Sequence, residues 1–171
     1  MLGVSGCTPK KDPAPPKPKA VASAPTGSLP KLGTAPAWKL QDLNGQVVSG
    51  EQLRGKVVVI DFWATWCGPC RLEIPGYAAM VRKYGKDGLV IVGVSLDQGG
   101  PDVVKPFAAK IGINYTLAMG DEAIQTAFGG MDAIPTTFLI DRTGQIRDRK
   151  VGAMETEEYE KKVLAVLNEK A

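Results

Sequence analysis

At 171 residues, 44% hydrophobic and 23% charged, the chain has room for one ordinary domain plus an appendage, and no apolar run approaches the roughly 20 residues of a membrane-spanning helix. The net charge of +3 is unevenly spread: five lysines against Asp12 put +4 before Trp38 and leave −1 for the rest, so there is no basic face for nucleic acid. Histidine is absent, which excludes His-ligated metal sites, Cys–His and Ser–His nucleophile pairs and haem attachment through C-x-x-C-H; three cysteines are also too few for a disulfide framework.

The chain opens on Val4-Ser5-Gly6-Cys7, which resembles the lipobox of bacterial lipoproteins, where the cysteine becomes the lipidated first residue. Residues 1–7 therefore read as the remnant of a lipoprotein-type signal. A secretory signal also carries a basic segment and an apolar stretch of about 7–15 residues, so with six residues before Cys7 the start is expected to be trimmed or placed too far downstream. Residues 8–37 hold eight of the thirteen prolines among Lys, Ala, Ser, Thr and Gly. Such a composition cannot bury enough apolar surface to offset chain entropy, and it predicts a disordered, partly polyproline tether. The folded domain is expected over 38–171.

Within that domain, Trp38 to Leu53 alternates and turns at Asn44-Gly45, a dipeptide suited to a tight hairpin. Lys56 to Trp63 (KVVVIDFW) reads as a strand buried on both faces. From Cys67 to about Tyr84 the period is helical, with Pro75 expected to kink it. Leu89 to Ser95 is a second buried strand, and Pro101 to Lys110 a helix with Pro101 in its first turn. A short helix over Asp121 to Phe128 precedes a strand over Thr136 to Ile140, a turn at Asp141-Arg142-Thr143-Gly144 and a partner strand over Gln145 to Val151. Glu155 to Lys170 closes the chain as an amphipathic helix burying Tyr159, Val163, Val166 and Leu167. This order predicts an α/β sandwich whose mixed sheet is parallel at helical crossovers and antiparallel at the hairpin.

The chemistry centres on Cys67-Gly68-Pro69-Cys70. Zinc would need a second cysteine pair or histidines, and haem would need His where Arg71 stands. Disulfide exchange needs only the two thiols, one of them reachable and stabilised as a thiolate. A strand-to-helix junction meets both conditions, because the first helical turn presents free N–H groups and the positive end of the dipole to Cys67. Cys70, one turn along the same face, is within reach to close the disulfide. Cys67 is thus the expected attacking thiol and Cys70 the resolving one.

Ile60-Asp61-Phe62-Trp63-Ala64-Thr65-Trp66-Cys67-Gly68-Pro69-Cys70-Arg71 is closely similar to the active-site stretch of thioredoxins, and Ile134-Pro135-Thr136 resembles their cis-proline loop. Over Trp38 to Ala171 the chain resembles the TlpA/ResA branch, thioredoxin-like extracytoplasmic reductases with an N-terminal β-hairpin and a helical insertion after the second core strand. Val92 to Asp97 followed by Asp102 to Lys110 fits that insertion. The resemblance implies a central mixed sheet flanked by helices. It makes Trp66, Gly68, Pro69, Ile134, Pro135 and Thr136 the expected substrate-binding surface, with a cis bond before Pro135 leaving the Ile134 backbone open to an extended segment.

Asp61 interrupts a buried apolar run, where an ionised carboxylate is costly and its pKa rises; that suits a group taking the proton of Cys70. Thioredoxins carry Asp here, the TlpA/ResA branch often Asn. Glu73 matches a glutamate that the branch places near its active site, although by pattern alone it reads as an exposed helix residue. Which of the two carboxylates handles the proton stays open at this level.

The resulting expectation is a monomeric, lipid-anchored, periplasmic thiol-disulfide oxidoreductase that reduces protein disulfides. It would use no metal and no cofactor beyond the redox-active Cys67–Cys70 disulfide, and contact the membrane only through Cys7. The resemblance implies a membrane thiol conduit as electron donor and apocytochrome c as an acceptor. Two rivals differ in class. A peroxiredoxin-like enzyme would need Thr and Pro upstream of a lone cysteine, a spacing that Thr65-Trp66-Cys67 lacks, and a copper-binding assembly factor of thioredoxin fold would need C-x-x-x-C and a distant histidine.

Overall fold

A computed structural model describes residues 28–169; Cys7 and residues 8–27 of the expected tether lie outside the described residues. Strand β1 (Gly33–Thr34) is followed by the hairpin strands β2 (Lys39–Gln41) and β3 (Val47–Ser49), which pair antiparallel. Their turn is set by Asp42, whose carboxylate accepts from the Asn44 and Gln46 amides at 2.8 Å each, and by Gly45 at φ 81°. Next come β4 (Val57–Trp63), buried at every position, α1 (Gly68–Tyr84), a 3-10 turn (Gly85–Asp87) and β5 (Leu89–Ser95). Helix α2 (Pro101–Ile111), β6 (Thr116–Met119), α3 (Glu122–Ala127), β7 (Thr136–Ile140), β8 (Gln145–Val151) and α4 (Thr156–Leu167) complete the order.

The main sheet runs β1-β8-β7-β4-β5-β6. Strands β4, β5 and β6 are parallel, joined through α1 and α2, whereas β4–β7, β7–β8 and β8–β1 are antiparallel. The expected mixed sheet is therefore present. Alternation along β4 splits its side chains between two cores. Val57 and Val59 join Leu89, Ile91 and Leu139 beneath α1 (Tyr77, Met80) and α4 (Tyr159, Val163, Val166). Val58, Ile60 and Phe62 join Phe138 and Ile140 on the other face, under the hairpin residues Trp38 and Leu40 and under Ile124 and Phe128. A third cluster at the C-terminal end of β4 packs Trp63, Ala64, Cys67 and Cys70 against Ile74, Val104, Ala108 and Leu117.

Two features depart from the sequence expectations. The folded body begins before Trp38: Leu29 and Pro30 carbonyls accept from Arg147, and β1 pairs with β8, so ten residues assigned to the tether by their composition belong to the domain. The insertion after β5 is a helix plus a strand, because β6 adds to the sheet edge beside β5 and also takes the hairpin, Leu43 donating to Leu117 O at 2.9 Å. As expected, helix α1 contains Pro75 in its interior. Pro75 and Arg71, whose carbonyl loses its helical donor there, are both exposed, so that carbonyl can turn to water.

Candidate active site

Buried strand β4 delivers the chain to the surface, and the loop Ala64–Trp66 turns it into α1. Asp97, just beyond β5, splints that loop. Its carboxylate accepts from Thr65 N at 2.9 Å, Thr65 Oγ1 at 2.6 Å and Ser95 Oγ at 2.8 Å. Cys67 is the N-cap of α1, and its Sγ accepts from the Cys70 amide at 3.2 Å. A side-chain acceptor on a free N–H is what a helix start requires; here the acceptor is the sulfur, so the same N–H can hold a thiolate once the bond is reduced. Cys67 and Cys70 are joined as a disulfide with Cα atoms 5.3 Å apart. Around them Gly68 and Pro69 are exposed, and Trp66 is 69% exposed.

Beside this turn the Ile134–Pro135 peptide is cis, and Ile134 O lies 3.8 Å from Cys67 Sγ. Pro135 O accepts from Gly152 N at 2.8 Å, tying the loop to the end of β8. Trp66, Gly68 and Pro69 thus present themselves to solvent and Ile134 meets the sulfur. Thr136 does not face outward: it is buried and its hydroxyl donates to Ala133 O at 2.7 Å. Its part in the expected substrate surface is confined to the shape of the turn.

Asp61 lies in the middle of β4, 2% exposed, and accepts from Thr137 Oγ1 at 2.9 Å. Burial pushes its pKa from 3.8 up to about 7, the charge of Glu73 adds to the rise, and Thr137 and Lys150 oppose it. Glu73 is not the exposed helix residue its pattern suggests. Its side chain is buried in an ion pair with Lys150, Oε1 also accepts from Met154 N at 3.0 Å, and Oε2 is buried with no partner.

Sequence reasoning passed over Lys150, Tyr77, Thr137 and Asp97. Strand β8, QIRDRKV, reads as a solvent-facing strand because five of its seven residues are polar or charged, yet Arg147 and Lys150 are both buried. Register decides this, and no local pattern shows it: Thr137 pairs with Asp61 on one side and Lys150 on the other, so the three share one face.

Residues 33–149 match the AhpC/TSA family. The chain belongs to that family. It is 33% identical over 131 residues to the thioredoxin-like protein YneN of Bacillus subtilis, covering 75% of this chain and 76% of that one. It is 33% identical over 129 residues to the thiol-disulfide oxidoreductase ResA of Bacillus anthracis, covering 74% and 72%. Among solved structures, a thioredoxin-family thiol:disulfide interchange protein of Chlorobium tepidum superposes with TM-score 0.73 at 30% identity, covering 80% of this chain and 97% of that one. This AhpC/TSA-family chain has a thioredoxin-like fold and is a thiol-disulfide oxidoreductase.

Proposed function

We propose that the protein reduces disulfides of extracytoplasmic proteins, with Cys67 as nucleophile, Cys70 as resolving thiol and the Cys67–Cys70 disulfide as its electron carrier. One observation carries this reading: the pair closes at the head of α1, with the Cys70 amide on Cys67 Sγ and a buried carboxylate in the strand behind it. In the reduced enzyme the Cys67 thiolate attacks one sulfur of a substrate disulfide, and the other sulfur leaves as a thiolate that takes a proton from water. Cys70 then gives its proton to the buried carboxylate and attacks Cys67 Sγ. The mixed disulfide breaks, the second substrate sulfur leaves as a thiolate, and two electrons have passed to the substrate. Asp61, whose pKa lies near 7, is poised to take and return that proton at neutral pH. Trp66, Gly68, Pro69 and the Ile134 backbone form the surface against which the substrate segment lies.

Electrons return from a membrane thiol conduit, and an apocytochrome c awaiting haem suits the acceptor role, since its C-x-x-C pair must be reduced before attachment. Cys7, lipidated, would hold a monomeric domain at the membrane surface outside the cytoplasm. No helix among the described residues is long and apolar enough to cross a membrane. The test is trapping. Cys70→Ser should leave Cys67 disulfide-linked to its substrate, recoverable from envelope extracts and identifiable by mass spectrometry, and Cys67→Ser should recover nothing. Failure of Cys70→Ser to hold any partner would sink the reductase reading. Turnover of peroxide by the isolated protein with no dithiol donor would favour the peroxidase rival instead.

A further inference from the structure

Asp61, Thr137 and Lys150 lie in register across β4, β7 and β8, and all three side chains face α1 and α4. Thr137 Oγ1 donates to Asp61 Oδ1 at 2.9 Å and stands 3.3 Å from the Tyr77 hydroxyl. That hydroxyl accepts from Lys150 Nζ at 3.3 Å, and the same ammonium is bound to Glu73. A continuous chain of contacts therefore links the two buried carboxylates through one buried lysine, whose side chain is 3% exposed. Lys150 Nζ also lies 5.3 Å from the Tyr159 ring centroid and 5.9 Å from that of Tyr77. An ammonium is strongly hydrated and costly to bury, and nothing in packing alone calls for one at the base of a dithiol site.

We propose that Lys150 is a positioning residue of this site: its ammonium, held between Glu73 and Tyr77, offsets the two buried carboxylates and sets the pH at which Asp61 can take the proton of Cys70. The inference rests on the proposed role of a buried carboxylate as that proton's acceptor. The charges facing Asp61 are few. Helix α1 contributes Glu73 and Tyr77, α4 contributes Tyr159, the entry to β6 contributes Tyr115, and β8 contributes Lys150 and, further along, Asp148, which is paired with Lys162 at 3.0 Å. Burial first and the charge of Asp61 second push the three tyrosine pKa values up, so the phenols stay neutral. The charges of Glu73 and Lys150 then decide the titration of Asp61, the first raising its pKa and the second lowering it. Without the ammonium Asp61 keeps its proton to higher pH; without Glu73 the ammonium faces Asp61 alone and the proton leaves at lower pH.

The experiment uses the mixed disulfide of Cys67 with thionitrobenzoate. Cys70 loses its proton to Asp61, attacks Cys67 Sγ and expels coloured thionitrobenzoate, so release against pH reads the acceptor without any physiological substrate. Carboxyl carbon NMR of the oxidised protein follows the same titration directly. Lys150→Met should move both midpoints up from about 7 by about one pH unit or more, slowing release at pH 7 about fivefold while restoring it at high pH. Lys150→Arg should keep the wild-type midpoint, and Glu73→Gln should move it down. Should Lys150→Met fail to fold, the fall in Glu73→Gln carries the test. Midpoints unmoved in Lys150→Met and Glu73→Gln, or release slowed equally at every pH, would overturn the proposal and leave Lys150 a structural strut. Trapping of a partner by Cys70→Ser is independent of this outcome, so failure here is distinct from failure of the reductase reading.

Discussion

Asp61 occupies a position in β4 where its neighbours Ile60 and Phe62 are fully buried. Its carboxyl pKa is about 7 in the folded protein against an ordinary 3.8, so the folded state binds this proton more tightly than the unfolded one. Stability owed to the group is complete below 3.8 and declines as pH rises to about 7, a loss of roughly 4 kcal/mol at about 1.4 kcal/mol per pH unit. Asp61→Asn keeps the shape and an oxygen for Thr137 but cannot ionise. Denaturant titrations should show it equal to wild type near pH 4 and more stable by up to about 4 kcal/mol at pH 8, while resolution by Cys70 slows. A gain of the same size at both pH values would assign the effect to packing. That Asp61 is buried was legible from the apolar run around it. That Glu73 is its electrostatic neighbour was not, because the lysine that holds Glu73 lies 77 residues away.

At the level of elements, α1 and α4 meet where Gly76 stands in the middle of α1. A Cβ there would lie 2.5 Å from both Thr156 Cγ2 and Oγ1 and 3.0 Å from Thr156 Cβ, at the first residue of α4. Gly76→Ala gains about 1 kcal/mol in helix propensity, but overpacking of this kind costs about 1–3 kcal/mol. The expected net result is a lower Tm, restored by adding Thr156→Ala; a higher Tm in the single variant would show that the helices can part freely. Periodicity identified β4, β5, β7 and α1 because long apolar runs and a helical repeat dominate those segments. It passed over β6, whose Thr-Leu-Ala-Met is short and poor in β-branched residues, and β1, two residues long beside prolines. Both strands form because a neighbouring edge offers hydrogen bonds, a condition no local window contains.

For the whole molecule, Arg147 closes the chain on itself. Its guanidinium donates to Ser28 Oγ at 2.9 Å, to the Leu29 and Pro30 carbonyls, to Asp141 at 3.2 Å and to Glu169. It thereby joins both ends of the described chain to the turn between β7 and β8. Because β4 leads up to the dithiol at its C-terminal end and β7 and β8 run antiparallel to one another, this clamp lies toward the pole of the sheet opposite Cys67. Arg147→Leu strands the partners of a buried ion pair, and a loss of roughly 3 kcal/mol is expected. Hydrogen exchange should show the Leu32 and Ala35 amides, bonded to Ile146 O at 2.8 Å and Gly144 O at 2.9 Å, losing protection first. Protection unchanged at these amides would mean that β1 holds without the clamp.

The sequence by itself determined the disulfide-forming pair, the strand and helix that hold it, the hairpin turn and the class of chemistry. Each rests on local geometry, namely two thiols one helical turn apart, a β-branched run, and an Asn-Gly dipeptide. Only the tertiary structure decided the surroundings of that pair. Burial turned Glu73 from a surface residue into a charge acting on Asp61, sheet register brought Lys150 and Thr137 into line with it, and Asp97 reached back across the sheet to hold Thr65. Electrostatics in a dry interior depends on which charges share a cavity, and that is settled by packing between residues far apart in the chain.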